Sequence, residues 1–228
     1  MNAPAVEPLH DASAEPAVRG LLHRPAVAGG AGLVLCHGAG SDCNAPLLVS
    51  LAEALASRGL AVLRCDLPYR QSRRRGPPRP GGAALDREGL RRAAAVLRGI
   101  GPARVFLGGQ SYGGRQASML AAEDPGVAAS LLLLSYPLHP PGNAGRPRTA
   151  HFPELRTPAL FAHGSADPFG TLEELEAARA LIPARTALMA IDGAGHGLAA
   201  SARGARPAAA VVDGIADRFL AFVSDVDG

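Results

Sequence analysis

The chain has 228 residues, 47% of them hydrophobic and 19% charged, with a net charge of +3, which suits one folded domain with an apolar core and excludes a disordered chain. All its basic residues are Arg and none is Lys, so a P-loop and a Schiff-base enzyme are excluded, both needing a Lys amine. The slight positive charge is a poor basis for a nucleic-acid partner, and three cysteines, Cys36, Cys43 and Cys65, lack both metal-ligand spacing and an even count for a disulfide framework.

Residues 1–16 are rich in Ala, Pro and acidic side chains, with neither a basic start nor a continuous apolar stretch. They are expected to form a disordered tail, not a signal peptide, ahead of a single domain over 17–228. No apolar run reaches the length of a membrane span. With unpaired cysteines in apolar runs, a cytoplasmic location is expected. The first clear strand is 32–36, ending in the turn His37-Gly38-Ala39-Gly40. A helix follows at 46–58, with Leu47, Leu48, Leu51, Leu55 and Ala56 at helical spacing and Gly59 as its stop. The next strand is 60–65. Residues 68–82 carry Arg, Pro and Gly without an apolar period and predict a surface loop. Within it Arg73, Arg74 and Arg75, flanked by Arg70 and Arg79, are either a solvated run or an anion-attracting rim. A helix at 85–98, a strand at 104–107, a helix at 116–123 and a strand at 131–135 continue the alternation. The Pro-rich stretch 136–156 is too irregular to be a large lid. Strands at 159–162 and 187–191, a helix at 172–181 between them and a last helix at 208–223 complete the chain. Strands alternating with helices predict a mostly parallel sheet flanked by helices.

Chemistry concentrates at four strand ends. Gly109-Gln110-Ser111-Tyr112-Gly113 reads G-x-S-x-G between a strand and a helix, the setting of a nucleophile elbow that presents Ser111 on a tight, strained turn. The turn His37-Gly38-Ala39-Gly40 follows an earlier strand. There the N–H of Ala39 or Gly40, with that of Tyr112, would form an oxyanion hole. A dinucleotide-binding reading of that turn fails, because Cys43 stands where the third Gly is needed. Asp167 lies in the polar loop after the strand 159–162, and His196 is set among Gly195 and Gly197 after the last strand. These suit the acid and the base of a triad. Ser111, Asp167 and His196 occur in the order nucleophile, acid, histidine, each after a strand, as in α/β-hydrolases. Asp192 is an alternative acid, Thr171 an alternative helix cap that frees Asp167, and His37 an organiser of the oxyanion turn. Tyr69, Gln110, Tyr112 and His139 are candidate pocket walls, and Arg64 or Arg70 candidate selectors of an anionic substrate. His139, His151 and His163 have no metal-ligand spacing.

These residues resemble the small, compact branch of the α/β-hydrolases that includes dienelactone hydrolases. More closely, the chain is similar to the hydrolase-like domain of testis-expressed protein 30, a domain shared with a subunit of the NSL histone acetyltransferase complex. The resemblance rests on His37 to Asp42 with Asn44, the strand Arg64 to Tyr69, the elbow at Ser111, and Tyr136 to Gly142 with Gly164 to Gly170. It implies an α/β-hydrolase fold, a triad and no cap domain. Ser111 stands where dienelactone hydrolases have Cys, which argues against their particular reaction. The expected activity is hydrolysis of small carboxylesters or thioesters through an acyl-enzyme, without cofactor or metal, on a small ester or acyl substrate and without nucleic acid or membrane. The alternatives are an acyltransferase on the same triad or a non-catalytic interaction module.

Overall fold

The computed structural model describes residues 4–27, 29–199 and 207–225. In chain order the elements are β1 (Ala5–Asp11), β2 (Val18–Arg24), β3 (Ala31–Cys36), α1 (Pro46–Ser57), β4 (Ala61–Cys65), α2 (Pro68–Ser72), α3 (Ala83–Ile100), β5 (Arg104–Gln110) and α4 (Tyr112–Glu123). Then come β6 (Leu131–Leu134), a 3-10 turn at Phe152–Glu154, β7 (Ala159–Gly164), α5 (Leu172–Arg179), β8 (Thr186–Ile191) and α6 (Ala209–Ser224). The strands form one sheet in the order β1-β2-β4-β3-β5-β6-β7-β8. From β4 to β8 every neighbouring pair is parallel, whereas β1–β2 and β2–β4 are antiparallel.

The central strands are near-continuous apolar runs because helices cover both faces of a parallel sheet. Alternate residues divide between the two layers. Leu33, Leu35, Phe106, Leu132 and Leu134 pack with Leu48, Leu51 and Leu55 of α1 and with Ile215 and Phe219 of α6. Val34, Cys36, Leu107, Leu133 and Phe161 pack on the other face with Leu90 and Leu97 of α3 and with Ala117 and Leu120 of α4. Burying such side chains contributes roughly 1.5–3 kcal/mol each, the main favourable contribution to the fold.

Three expectations change. The stretch expected as a disordered tail contains β1, paired over its whole length with β2 from Ala5↔Arg24 to Asp11↔Val18. It is an edge strand of mostly exposed and half-buried residues, so it lacks the apolar alternation by which a strand is recognised. The loop expected over 68–82 opens with the short helix α2, which Pro68 starts at its first position. The elbow helix begins at Tyr112 rather than 116, since Gly113 and Gly114 weaken the local helical signal. Residues 136–156 hold no element beyond the 3-10 turn, and the fold has no large cap domain. Among the described residues no helix is long and apolar enough to cross a membrane.

Candidate active site

A parallel sheet collects the loops that follow its strands along one edge. Here β5 leads directly into Ser111, β7 runs into the loop holding Asp167, and β8 leads to His196. Ser111 sits between β5 and α4 with φ 52° and ψ −113°, a left-handed conformation that costs a non-glycine residue about 1–3 kcal/mol and persists only where surroundings impose it. They do so here. A Cβ on Gly109 would lie 2.8 Å from the Cys36 carbonyl oxygen, and one on Gly113 would lie 2.6 Å from that of His37. Only glycine fits at either position, and the turn thrusts the Ser111 hydroxyl out of the sheet edge.

That hydroxyl lies 2.9 Å from Nε2 of His196, and the other ring nitrogen, Nδ1, lies 2.8 and 3.0 Å from the two carboxylate oxygens of Asp167. The buried Asp167 carboxylate can only accept. It therefore takes the Nδ1 proton and leaves Nε2 free to accept from Ser111. Phe169 stacks on the His196 ring at 4.1 Å between centroids, and its backbone N–H donates to Asp167 Oδ1 at 2.9 Å. Nε2 of the fully buried His163 lies 2.8 Å from the Gly170 carbonyl oxygen and 3.8 Å from Asp167 Oδ2. The acid is thus embraced by its own loop. Thr171, not Asp167, caps α5, in a capping box with Glu174. Asp192 is exposed and receives the Ser165 hydroxyl at 3.2 Å, so it does not serve as the alternative acid.

On the other side of Ser111 stands the turn after β3. A Cβ on Gly38 would lie 3.7 Å from Ser111 Cβ, so the turn runs alongside the serine. Among the described residues the Ala39 N–H makes no backbone hydrogen bond, and Tyr112, first in α4, has no intrahelical acceptor for its N–H. Gly40 is exposed on the same turn. The carbonyls of the turn are held from behind. The Tyr69 hydroxyl donates to Gly38 O at 3.2 Å and Ala39 O at 3.0 Å, and its ring meets that of Tyr112 edge-on. The buried Asp86 accepts the Tyr112 hydroxyl at 2.7 Å and the Tyr69 N–H at 3.1 Å. Burial pushes the Asp86 carboxyl up, against the opposing pull of these two donors. Buried His37 accepts the Leu67 N–H at Nε2, 3.1 Å, so Nδ1 carries the proton and donates to Gly38 O at 2.9 Å. Desolvation lowers its pKa from 6.5. His37 organises the turn, as its sequence position suggested.

The residues expected to wall a pocket are engaged in bracing. Tyr69 holds the carbonyls of the turn after β3, Tyr112 donates to Asp86 behind it, and Gln110 donates to the His196 carbonyl at 3.1 Å. His139 has Nδ1 2.9 Å from the Pro140 carbonyl oxygen and Nε2 3.3 Å from Glu174. Arg70 is buried and gives its guanidinium to the carbonyls of Ser41, Ala39, Arg73 and Gly76. Arg64 is likewise buried, donating to His23 Nε2 at 2.8 Å and to the Cys43 carbonyl. Neither guanidinium is free for an anionic substrate, because both are consumed by backbone carbonyls and a buried imidazole. Arg74, Arg75 and Arg79 are exposed, the solvated alternative for that run. Asp86, Phe169 and His163 carry no sequence signal of their own. Each acts through a contact that exists only after the helices and loops have packed.

The profile of the alpha/beta hydrolase domain family matches residues 29–224, so the chain belongs to that family. A dienelactone hydrolase from Anabaena variabilis is similar over 96% of this chain and 99% of its own, at 25% identity and a TM-score of 0.73. The fold is shared with Est1E from Butyrivibrio proteoclasticus, at 14% identity and a TM-score of 0.72 over 95% of this chain and 99% of that one. It is shared too with XC6422 from Xanthomonas campestris, described as an α/β serine hydrolase without lid, at 17% identity and a TM-score of 0.63 over 86% and 87% of the two chains. Family and neighbours together support a hydrolytic function.

Proposed function

We propose that this protein is a serine hydrolase that cleaves small carboxylesters or thioesters through an acyl-enzyme. The observation that carries this reading is the Ser111–His196–Asp167 chain of contacts at 2.9 and 2.8 Å, set on a backbone conformation that surrounding glycines permit at a cost in stability. In the first stage Ser111 Oγ attacks the carbonyl carbon while its proton passes to His196 Nε2. Asp167 stabilises the resulting imidazolium without taking its proton. Negative charge on the carbonyl oxygen is met by the N–H groups of Ala39 (or Gly40) and Tyr112. Each such donor is worth about 3–4 kcal/mol in transition-state stabilisation where one has been removed. Collapse of the intermediate expels the alcohol or thiol, which takes the proton from His196. Water, deprotonated by the same imidazole, then releases the acid.

The test is a fluorophosphonate probe on the wild type, Ser111→Ala and His196→Ala, with the adduct mapped by mass spectrometry. Labelling at Ser111 alone, lost in both variants, is the expected result, followed by turnover of short-chain aryl esters or thioesters. Labelling with transfer to an added alcohol or amine in preference to water would make the protein an acyltransferase. An unlabelled, folded wild type would overturn the reading in favour of an interaction module.

A further inference from the structure

The two arginines expected from the sequence to select an anion are buried and satisfied, yet three others stand together without an acidic partner among the described residues. Arg115, Arg146 and Arg148, with Pro140 and Pro147, line a groove of about 410 Å³. Among the described residues none of the three makes an ion pair. The Arg115 Nε is buried and, among the described residues, without a hydrogen-bond partner. Burial first, and then the charges of Arg115 and Arg146, push the Arg148 guanidinium below its ordinary range. Three like charges gathered without an acid are unfavourable in the free protein, and an anion placed among them relieves that repulsion.

Ser111, Asp167 and His196 do not themselves line the groove, but its arginines come from the helix that follows Ser111 and from the connection after β6. Arg115 is one helical turn beyond Ser111, its N–H donating to the Ser111 carbonyl at 2.9 Å. Arg146 and Arg148 belong to the connection after β6, and β6 lies between β5, which leads directly into Ser111, and β7, which leads to Asp167. The same connection touches the base side of the site, because the His139 N–H donates to the Phe169 carbonyl at 3.2 Å and Phe169 stacks on His196. The arginine backbones are anchored as well. Arg148 donates its N–H to Leu138 O at 2.7 Å and accepts the Tyr136 hydroxyl at 2.8 Å, and prolines at 140 and 147 stiffen the rim.

We propose that Arg115, Arg146 and Arg148 form a subsite for a carboxylate carried by the substrate, so that the preferred substrates are half-esters or half-thioesters of dicarboxylic acids. This rests on the hydrolase reading of Ser111. The test compares kcat/KM for 4-nitrophenyl half-esters of succinate, glutarate and adipate with that for the neutral 4-nitrophenyl esters of matching acyl length. The wild type is expected to favour one half-ester, the best length reporting the span from Ser111 to the groove, with the preference weakening as ionic strength rises. Arg115→Gln and Arg148→Gln should each cut the anionic-to-neutral ratio by about 10-fold or more, the scale of a lost hydrogen bond to a charged group. Fluorophosphonate labelling of the same variants keeps the two readings apart. A labelled Ser111 with no anionic preference, or with a preference that survives both substitutions, overturns the subsite and leaves the hydrolase standing. Titration of glutarate into Ser111→Ala protein reads the groove without turnover. Binding weakened by Arg148→Gln supports the subsite, whereas no binding, or binding indifferent to that change, overturns it whatever Ser111 does.

Discussion

Two walls flank Ser111, and they are built by opposite means. The wall bearing Asp167 and His196 is held largely by backbone: Ser165 N–H to Ile191 O at 3.0 Å, Ala166 N–H to Ala194 O at 2.9 Å and Asp167 N–H to Gly164 O at 3.2 Å. The strand-end contact is so close that a Cβ on Gly164 would lie 2.1 Å from the Ala194 carbonyl oxygen. The wall bearing Ala39 is held by side chains reaching in from elsewhere, Tyr69 and Arg70 on α2, Asp86 on α3 and Tyr112 on α4. A wall made of backbone depends on few side chains, so its polar residues are free for chemistry. A wall made of buried polar side chains depends on all of them, because each orphaned partner costs about 1–3 kcal/mol. Activity and stability should therefore separate on the first wall and move together on the second.

The largest expected effect lies on the first wall. Asp167→Asn should lower kcat by about 10⁴-fold, the loss that follows when the histidine is held in the wrong tautomer. The asparagine oxygen can still accept the Phe169 N–H, so urea midpoints should move little. An Asp167→Asn protein as unstable as the Asp86 variant below would break the distinction between the walls.

Acid should separate the walls next. His37 is neutral in the folded protein, its pKa lowered by burial. Burial first and the Arg64 charge second bring His23 to about 4, and through Arg64 it tethers the Cys43 carbonyl just past the turn that follows β3. Below pH 6.5 the unfolded chain binds protons that the folded one refuses. Stability is thus complete above about 6.5 and falls as the pH drops toward 4, with His23 alone contributing on the order of 3 kcal/mol of that loss. Amide hydrogen exchange across this range should show residues 37–44 opening before 163–170. Simultaneous opening would mean that the two histidines do not govern the turn.

Asp86→Ala comes third. It orphans the Tyr112 hydroxyl and the Tyr69 N–H together, so it should destabilise the protein by roughly 3 kcal/mol in urea melts and reduce ester turnover under conditions where it remains folded. Tyr69→Phe is the mildest probe, removing one hydroxyl from the carbonyls of Gly38 and Ala39. About 1 kcal/mol of stability should go, with a several-fold fall in kcat and little change in KM. A fall in stability with kcat untouched would show that the turn keeps its shape without Tyr69.

Much of the architecture is legible in the sequence. Leu33 to Cys36 and Leu131 to Leu134 announce strands buried on both faces, and Leu47, Leu48, Leu51 and Leu55 announce a helix, because burial enforces periodicity. Ser111, Asp167 and His196 could be singled out because each follows a strand in a distinctive local setting. β1 escaped notice because an edge strand half open to water is under no such pressure. Tyr69 and Gln110 are expected from the sequence as pocket walls and Arg70 as a selector of an anion, yet the structure commits them to the carbonyls of Gly38, Ala39, Ser41 and His196. A polar side chain near a site gives no local sign of whether it faces a ligand or the backbone.

The sequence by itself determined the alternation of strands and helices, the G-x-S-x-G turn at Ser111 and the chain order of Ser111, Asp167 and His196, since each is written in short-range patterns of side-chain type. The tertiary structure alone decided that these three side chains lie within hydrogen-bond reach, that Asp86 joins α2 to α4 behind the turn after β3, and that Arg64 and Arg70 are spent on internal acceptors. Those contacts join groups 17 to 85 residues apart in the chain. Such meetings are set by how the sheet orders its strands and how the helices pack upon it, and no local pattern encodes them.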